Sequence, residues 1–197
     1  GFPPNLGSLD DISNLIHTAH DNDLKIIFGL VLSNTSINHP WFEEAVRESA
    51  SVYSSFYLFH EAIPNNWINV NGKRAWSFEE RIKKYYFHSY SYDSADLNWR
   101  IPELGLLMEE YLDYWLQLGV DGFYVQDINT LIKDDSLRDN PTNFGVIQRR
   151  YERQEHVFDR NRSETHLKLE RLRAVVNRFE ERVLIGRLQT PEAGEPE

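Results

Sequence analysis

Apolar positions along the chain follow two rhythms that take turns. Leu9, Ile12, Leu15, Ile16 and Ala19 recur at helical spacing, and Ser8 with Asp11 three residues on has the form of a capping box. Lys25 to Leu32 is then a near-continuous apolar run, the length of a strand buried on both faces. Pro102 opens a second helix with its stripe at Leu104, Leu107, Met108, Tyr111, Leu112, Trp115 and Leu118. Leu118-Gly119-Val120-Asp121-Gly122-Phe123-Tyr124-Val125-Gln126-Asp127 hands that helix over, through a glycine turn, to a second buried strand. A third helix is expected after a cap at Ser163, with Leu169, Leu172, Val176 and Phe179 inward, and a third strand over Arg182–Arg187.

Between these elements the rhythm breaks. Ser33 to about Arg100 is irregular, with turn chemistry at Ile63-Pro64-Asn65-Asn66-Trp67 and Val70-Asn71-Gly72-Lys73 and short strand-like pieces such as Tyr85-Tyr86-Phe87-His88. An insertion of that size between α/β elements reads as a lid or small subdomain. Asp134 to about Asp159 is polar and irregular, and the tail from Gln189, rich in Pro, Glu and Gly, reads as disordered. The order is helix, strand, insertion, helix, strand, loop, helix, strand, which predicts parallel βα units. The expected fold is α/β: a segment over 1–32, an inserted loop subdomain over 33–100, a second segment over 101–188 and a tail over 189–197. Three strands cannot close an eight-stranded barrel, so the pattern fits a slice of one, with a small three-stranded sheet as the alternative.

Composition narrows the chemistry. The net charge of −10 argues against non-specific nucleic-acid binding. The locally basic Arg149-Arg150-Tyr151-Glu152-Arg153 has Glu interleaved and reads as a solvated face. With no cysteine, disulfides, thiolate nucleophiles and Cys-based metal sites are ruled out for this chain. His39, His60 and His88 show no ligand spacing, so no metal and no cofactor is expected, and His39 and His88 read as packed, hydrogen-bonded residues. Trp41, Trp67, Trp76 and Trp99 read as core of the insertion rather than a sugar platform. No apolar run has the length of a membrane span and no signal peptide opens the chain; because it begins at Gly1, it reads as a fragment whose targeting elements lie elsewhere.

A set of motifs in fixed order carries a resemblance. Leu30-Val31-Leu32-Ser33-Asn34-Thr35-Ser36 with His39-Pro40-Trp41-Phe42, then Pro64-Asn65-Asn66-Trp67, Ala75-Trp76, Tyr86-Phe87-His88, Asp96-Leu97-Asn98-Trp99-Arg100, Gly119-Val120-Asp121-Gly122-Phe123 and Val183-Leu184-Ile185-Gly186 resemble the α-amylase superfamily of retaining glycosidases, in its maltase and oligo-1,6-glucosidase branch. The likeness runs from about Asn5 to Arg187. It implies the third to fifth strands of a (β/α)8 barrel, with the loop subdomain that follows the third strand.

The resemblance also implies where chemistry stands, and there this chain departs. The family's third-strand Asp, Asn and His fall on Gly29, Ser33 and Asn34. The fourth-strand Arg and nucleophilic Asp fall on Tyr124 and Gln126, and the general-acid Glu after the fifth strand falls on Arg187. A retaining glycosidase needs two carboxyl groups about 5–5.5 Å apart. Gln126 is neutral and Arg187 permanently protonated, so neither performs those roles. Asp127 is the nearest substitute nucleophile, but strand alternation points it away from the barrel axis; Glu192 is a more remote one. In the structural reading, Gln126 is a hydrogen-bonding residue and Arg187 pairs with an Asp or Glu. Asn34 and Tyr124, with Gln126, are the candidates for touching a sugar. Asn34-Thr35-Ser36 and Asn161-Arg162-Ser163 match the glycosylation acceptor pattern.

The expectation is therefore a catalytically inactive maltase-like homologue. The pattern Gly122-Phe123-Tyr124-Val125-Gln126-Asp127-Ile128 is similar to the heavy subunits of heteromeric amino-acid transporters, and that resemblance implies a polytopic membrane light subunit as partner and a place on the extracellular face of the cell membrane. The alternatives are an active α-glucosidase with an α-glucoside ligand, and a secreted, non-catalytic sugar- or protein-binding module.

Overall fold

The computed structural model describes residues 7–146 and 150–188. In chain order the elements are α1 (Leu9–His20), β1 (Ile27–Val31), β2 (Asn34–Ser36), α2 (Pro40–Arg47), β3 (Phe59–His60), β4 (Trp76–Glu79), β5 (Lys84–Phe87), β6 (Ser94–Asp96), α3 (Pro102–Gln117), β7 (Gly122–Gln126), α4 (Glu164–Val176) and β8 (Val183–Gly186).

Three parallel strands in the order β1-β7-β8 form the central sheet. The register sets Ile27 opposite Gly122 and Val31 opposite Gln126 on one side of β7, and Gly122 opposite Val183 and Val125 opposite Gly186 on the other. Alternation sends Phe28, Leu30, Phe123, Val125 and Leu184 to one face, where they join the main core with Ile12 and Ile16 of α1, Leu112 and Trp115 of α3 and Leu172 and Val176 of α4. Phe28 meets Trp115 edge-on, with ring centroids 5.1 Å apart.

Gly122 is required by the spacing of β7 and β8. A β-carbon built there would lie 2.3 Å from the Val183 carbonyl oxygen, so no larger residue fits while the strands stay paired. Asp121, one residue earlier, ties the near ends of all three strands. Its carboxylate accepts from the Ile26 N–H at 2.8 Å and from His20 at 2.7 Å, with Lys25 and Arg182 at 3.5 and 3.3 Å. Its backbone N–H donates to Ile26 O and its carbonyl accepts from the Val183 N–H. Burial pushes the Asp121 carboxyl up, but the His20 and Ile26 hydrogen bonds and the Lys25 charge outweigh it, and the net direction is down.

The Ser8 capping box forms as expected, with both reciprocal hydrogen bonds present. Three local expectations need correction. The first strand is not buried on both faces: Ile27 is 43% and Val31 52% exposed. β1 pairs with β7 alone, and the face opposite the helices has no covering layer among the described residues. Only the central strand β7 is enclosed nearly throughout. Leu9 and Leu15 of the first predicted stripe are half exposed, at its margins. Ser163 stands before α4 in helical conformation and makes no capping hydrogen bond, its hydroxyl turning to Glu164 instead. In the basic stretch Arg150 and Arg153 are exposed, as expected, around a 3-10 turn over Tyr151–Arg153 whose tyrosine packs on His156; Arg149 lies outside the described residues, as does the tail from Gln189.

The segment from Ser33 to Arg100 carries two small antiparallel sheets, β2-β6 and β3-β5-β4. Phe42, Phe56, Tyr57 and Tyr86 within it belong to the main core, while Trp67, Ala75, Trp76 and Phe87 form a second cluster that Leu137 and Phe158 join from the loop after β7. Trp67, Trp76 and Trp99 are buried, and the Trp99 indole N–H donates to Leu32 O at 2.6 Å. Trp41 stacks on Tyr53. His88 is buried and bonded to Ser77, and His39 caps α2 through the Trp41 N–H.

Two outcomes follow from the sheet. Gly122→Ala forces Val183 away from β7 and is expected to cost about 1–3 kcal/mol or more, read as a lower midpoint in urea unfolding of the intact protein. Residues 1–197 expressed alone are expected to unfold over a broad, weakly cooperative range, because β1 and β8 each leave one edge unpaired among the described residues. A sharp calorimetric transition for that chain would refute the second expectation.

Candidate functional site

The far ends of β1, β7 and β8 gather the polar side chains that the sequence singled out. Tyr124 and Gln126 alternate with the buried Phe123 and Val125, so they stand on the open face of the sheet. Arg187 follows β8 directly. Its N–H donates to Val125 O at 2.8 Å, and its carbonyl accepts from the Ile128 N–H at 3.0 Å, so the ladder between β7 and β8 extends one residue past the strand.

Asp127 requires a correction. It does not continue the alternation of β7, because the strand ends at Gln126 and Asp127 takes a left-handed conformation with φ 51°. A left-handed residue redirects the chain, so period-two reasoning does not place its side chain. The Asp127 carboxylate accepts from the Tyr90 hydroxyl at 2.6 Å and lies 3.9 Å from Arg187 Nε. Burial, then the hydrogen bond to Asp127 and its charge, push the Tyr90 phenol well up, so it stays a proton donor. A carboxylate, a guanidinium and a phenol thus meet at the strand ends, next to Gln126, which closes β7. Arg187 and Tyr90 both act on the carboxylate, which holds it by charge and hydrogen bonding.

Asn34 sits in β2, and its amide is engaged at both ends: Nδ2 donates to Ser33 Oγ at 2.9 Å and Oδ1 accepts from Ser94 Oγ at 3.0 Å. Asn161 is exposed with φ 56°, and its Oδ1 accepts from Asn129. Glu192 lies outside the described residues. Among the described residues no three His, Asp or Glu side chains gather as metal ligands, and no helix is long and apolar enough to cross a membrane.

Sequence reasoning missed two participants. Tyr90 lies 37 residues before Asp127, in the irregular insertion, where spacing carries no information about contact. Lys133 is the other. It is 4% exposed, directly follows the buried Leu131 and Ile132, and its ammonium meets the fully buried Asp96 at 2.5 Å and the Thr130 carbonyl. Asp96 also accepts from the Ser89 N–H and hydroxyl, both at 2.6 Å. This network binds the end of β6 to the loop that leaves β7, one turn from Asp127. A lysine directly after two apolar residues is a weak signal that a buried partner exists.

The α-amylase catalytic-domain family matches residues 2–194, and the chain belongs to that family. Its relatives fall into more than one functional kind. It is 34% identical to a probable α-glucosidase of Rhizobium meliloti, across 97% of this chain and 37% of that protein. It is 31% identical to the amino acid transporter heavy chain SLC3A1 of Rattus norvegicus, across 89% of this chain and 27% of that protein. Among solved structures, the α-glucosyl transfer enzyme XgtA superposes with a TM-score of 0.88 at 32% identity, over 96% of this chain and 38% of that one. The chain therefore spans well under half the length of these relatives. The α/β layers described above are consistent with part of a TIM barrel.

Two expectations arise from the polar contacts. Replacing Lys133 by Met, or Asp96 by Leu, leaves one charge buried alone and is expected to cost about 3–5 kcal/mol, while the double replacement costs far less than the two singles summed; a denaturant double-mutant cycle reads this. In the loop after β7, the Arg138 guanidinium holds the Asp134 carboxyl at about 2, against the opposing effect of burial, with the Arg138 N–H and the Arg162 charge assisting. A depressed carboxyl stabilises the fold above the unfolded value near 3.8 and loses that contribution as pH falls through about 2. The stability gap between the parent and Arg138→Ala is therefore expected to be full at pH 7 and to close between about pH 4 and pH 2, as followed by thermal melts.

Proposed function

We propose that this chain is the barrel segment of a catalytically inactive, maltase-like member of the α-amylase family, comprising the third to fifth strands (β1, β7 and β8) and the subdomain inserted after the third, over 33–100. The observation that carries the reading is the pair of side chains at the strand ends: Gln126 closes β7 and Arg187 directly follows β8. By family resemblance these are the nucleophile and general-acid positions, and neither side chain can attack an anomeric carbon or cycle a proton. The polar groups that do gather there are turned on one another, Tyr90 and Arg187 on Asp127.

On this reading the protein works as the ectodomain of an amino-acid transporter heavy subunit. It stabilises and traffics a polytopic light subunit at the extracellular face of the cell membrane, as the likeness to SLC3A1 supports. Asn161, exposed at the surface, is the better placed of the two glycosylation candidates, since the Asn34 amide is engaged on both sides.

A specific observation favours the second reading, an active α-glucosidase. Asp127 places a carboxylate at the end of β7, within reach of the same strand ends, and the Rhizobium meliloti relative is named a probable α-glucosidase. Maltose hydrolysis by the intact protein decides between them. The expected result is no turnover above background, with Gln126→Asp and Arg187→Glu together as the test of whether the missing carboxylates are the cause. Turnover by the parent that vanishes in Asp127→Asn would establish the second reading instead.

A further inference from the structure

A small recess lies where the loop following β7 meets the inserted segment, beside the Tyr90–Asp127 contact. Its volume is about 10 Å³, and it is lined by Ile68 and Ser89 from the insertion and by Thr130, Tyr151, Asp159 and Arg160 from the loop. One water needs roughly 10–15 Å³ by the same kind of measure, so the space holds a single small molecule and nothing larger.

The chemistry of the lining selects that molecule. Asp159 is 7% exposed; its Oδ2 is taken by His156 at 2.7 Å, while Oδ1 is buried without a hydrogen-bond partner. Arg160 has Nε and Nη1 buried and likewise unpartnered. The Ser89 hydroxyl has spent its proton on Asp96 and the Thr130 hydroxyl on Asp127 O, so both present lone pairs only. The recess thus offers acceptors on Asp159, Ser89 and Thr130 and donors on Arg160. A metal or ammonium cation meets the acceptors but has no lone pair for Arg160. A halide meets Arg160 and is repelled by Asp159. Only a molecule that both donates and accepts satisfies the set.

We propose that this recess is a structural water site, in which one water accepts from Arg160, donates to Asp159 Oδ1 and to the Ser89 or Thr130 oxygen, and so fastens the loop after β7 to the inserted segment. The neighbours are arranged to hold those partners still. Tyr151 stacks on His156 with ring centroids 3.8 Å apart, the Arg160 guanidinium lies 5.1 Å from the Tyr151 ring centre, and His156 Nε2 is bonded to Tyr151 O at 2.8 Å. A water with three bonds to buried groups is costly to remove.

The test is a high-resolution crystal structure of the intact protein, beside the variant Ser89→Thr, with melting temperatures for both. Threonine keeps the hydroxyl that bonds Asp96 and adds a methyl where the water would sit. The expected result is one density peak within hydrogen-bonding distance of Asp159 Oδ1 and Arg160 in the parent, lost in Ser89→Thr together with a fall in Tm of a few degrees. No peak in the parent, while other buried waters are visible, overturns the proposal. So does an unchanged or higher Tm for Ser89→Thr, since a methyl that enters a dry void stabilises. An anomalous signal at the peak after a bromide soak would assign an anion and overturn it as well.

Discussion

The fold depends on how the near ends of three parallel strands are held together, and Asp121 does this. A parallel ladder has no hairpin to align its strands, so their register must come from elsewhere. Asp121 uses both backbone groups and both carboxylate oxygens for it, reaching Ile26 before β1 and Arg182 and Val183 at β8. Gly122 then lets β8 approach so closely that a single methyl would not fit. Once those ends are aligned, alternation decides the rest: Phe123 and Val125 enter the core, while Tyr124 and Gln126 go to the opposite face and Gln126 reaches the far end.

At that far end the structure is a set of mutual satisfactions. In a site built for acid–base chemistry, titratable groups are kept apart in environments that separate their pKa values. Here the one carboxylate at the end of β7 is held by a phenol and faced by a guanidinium. Arg187 is a permanent cation 3.9 Å away, so this carboxylate faces a charge and a hydrogen-bond donor supplied by the protein itself. The left-handed turn at Asp127 is part of the same arrangement, since it brings the carboxylate to Tyr90 rather than along the strand.

Behind the strand ends, buried charge replaces apolar packing. Lys133 and Asp96 join β6 to the loop after β7, with Ser89 and Thr130 completing their hydrogen bonds. Buried pairs of this kind add little net stability over apolar residues but penalise any arrangement that separates them. The insertion and the loop are therefore fixed relative to each other by partners that each would be expensive to leave alone.

The sequence by itself determined the order of the three longer helices and the three parallel strands, the capping box at Ser8, the faces of β7, most of the buried stripe of α3 (Tyr111 is exposed), and the identity of the residues at the strand ends. Those features are local: periodicity, a glycine before an apolar run and a cap are all set by neighbours within a few residues. It also carried the family, because many weak motifs in fixed order constrain one another. What it missed was decided across long separations or at a single torsion. Tyr90 meeting Asp127, Lys133 meeting Asp96 and the exposure of one face of β1 depend on which segments fold beside each other, and no spacing encodes that. The direction of Asp127 turned on one left-handed residue, where alternation stops. Side-chain identity can be read from a sequence alone, but the company each side chain keeps is set by the tertiary structure, because burial and partnership come from chain segments that are remote in sequence.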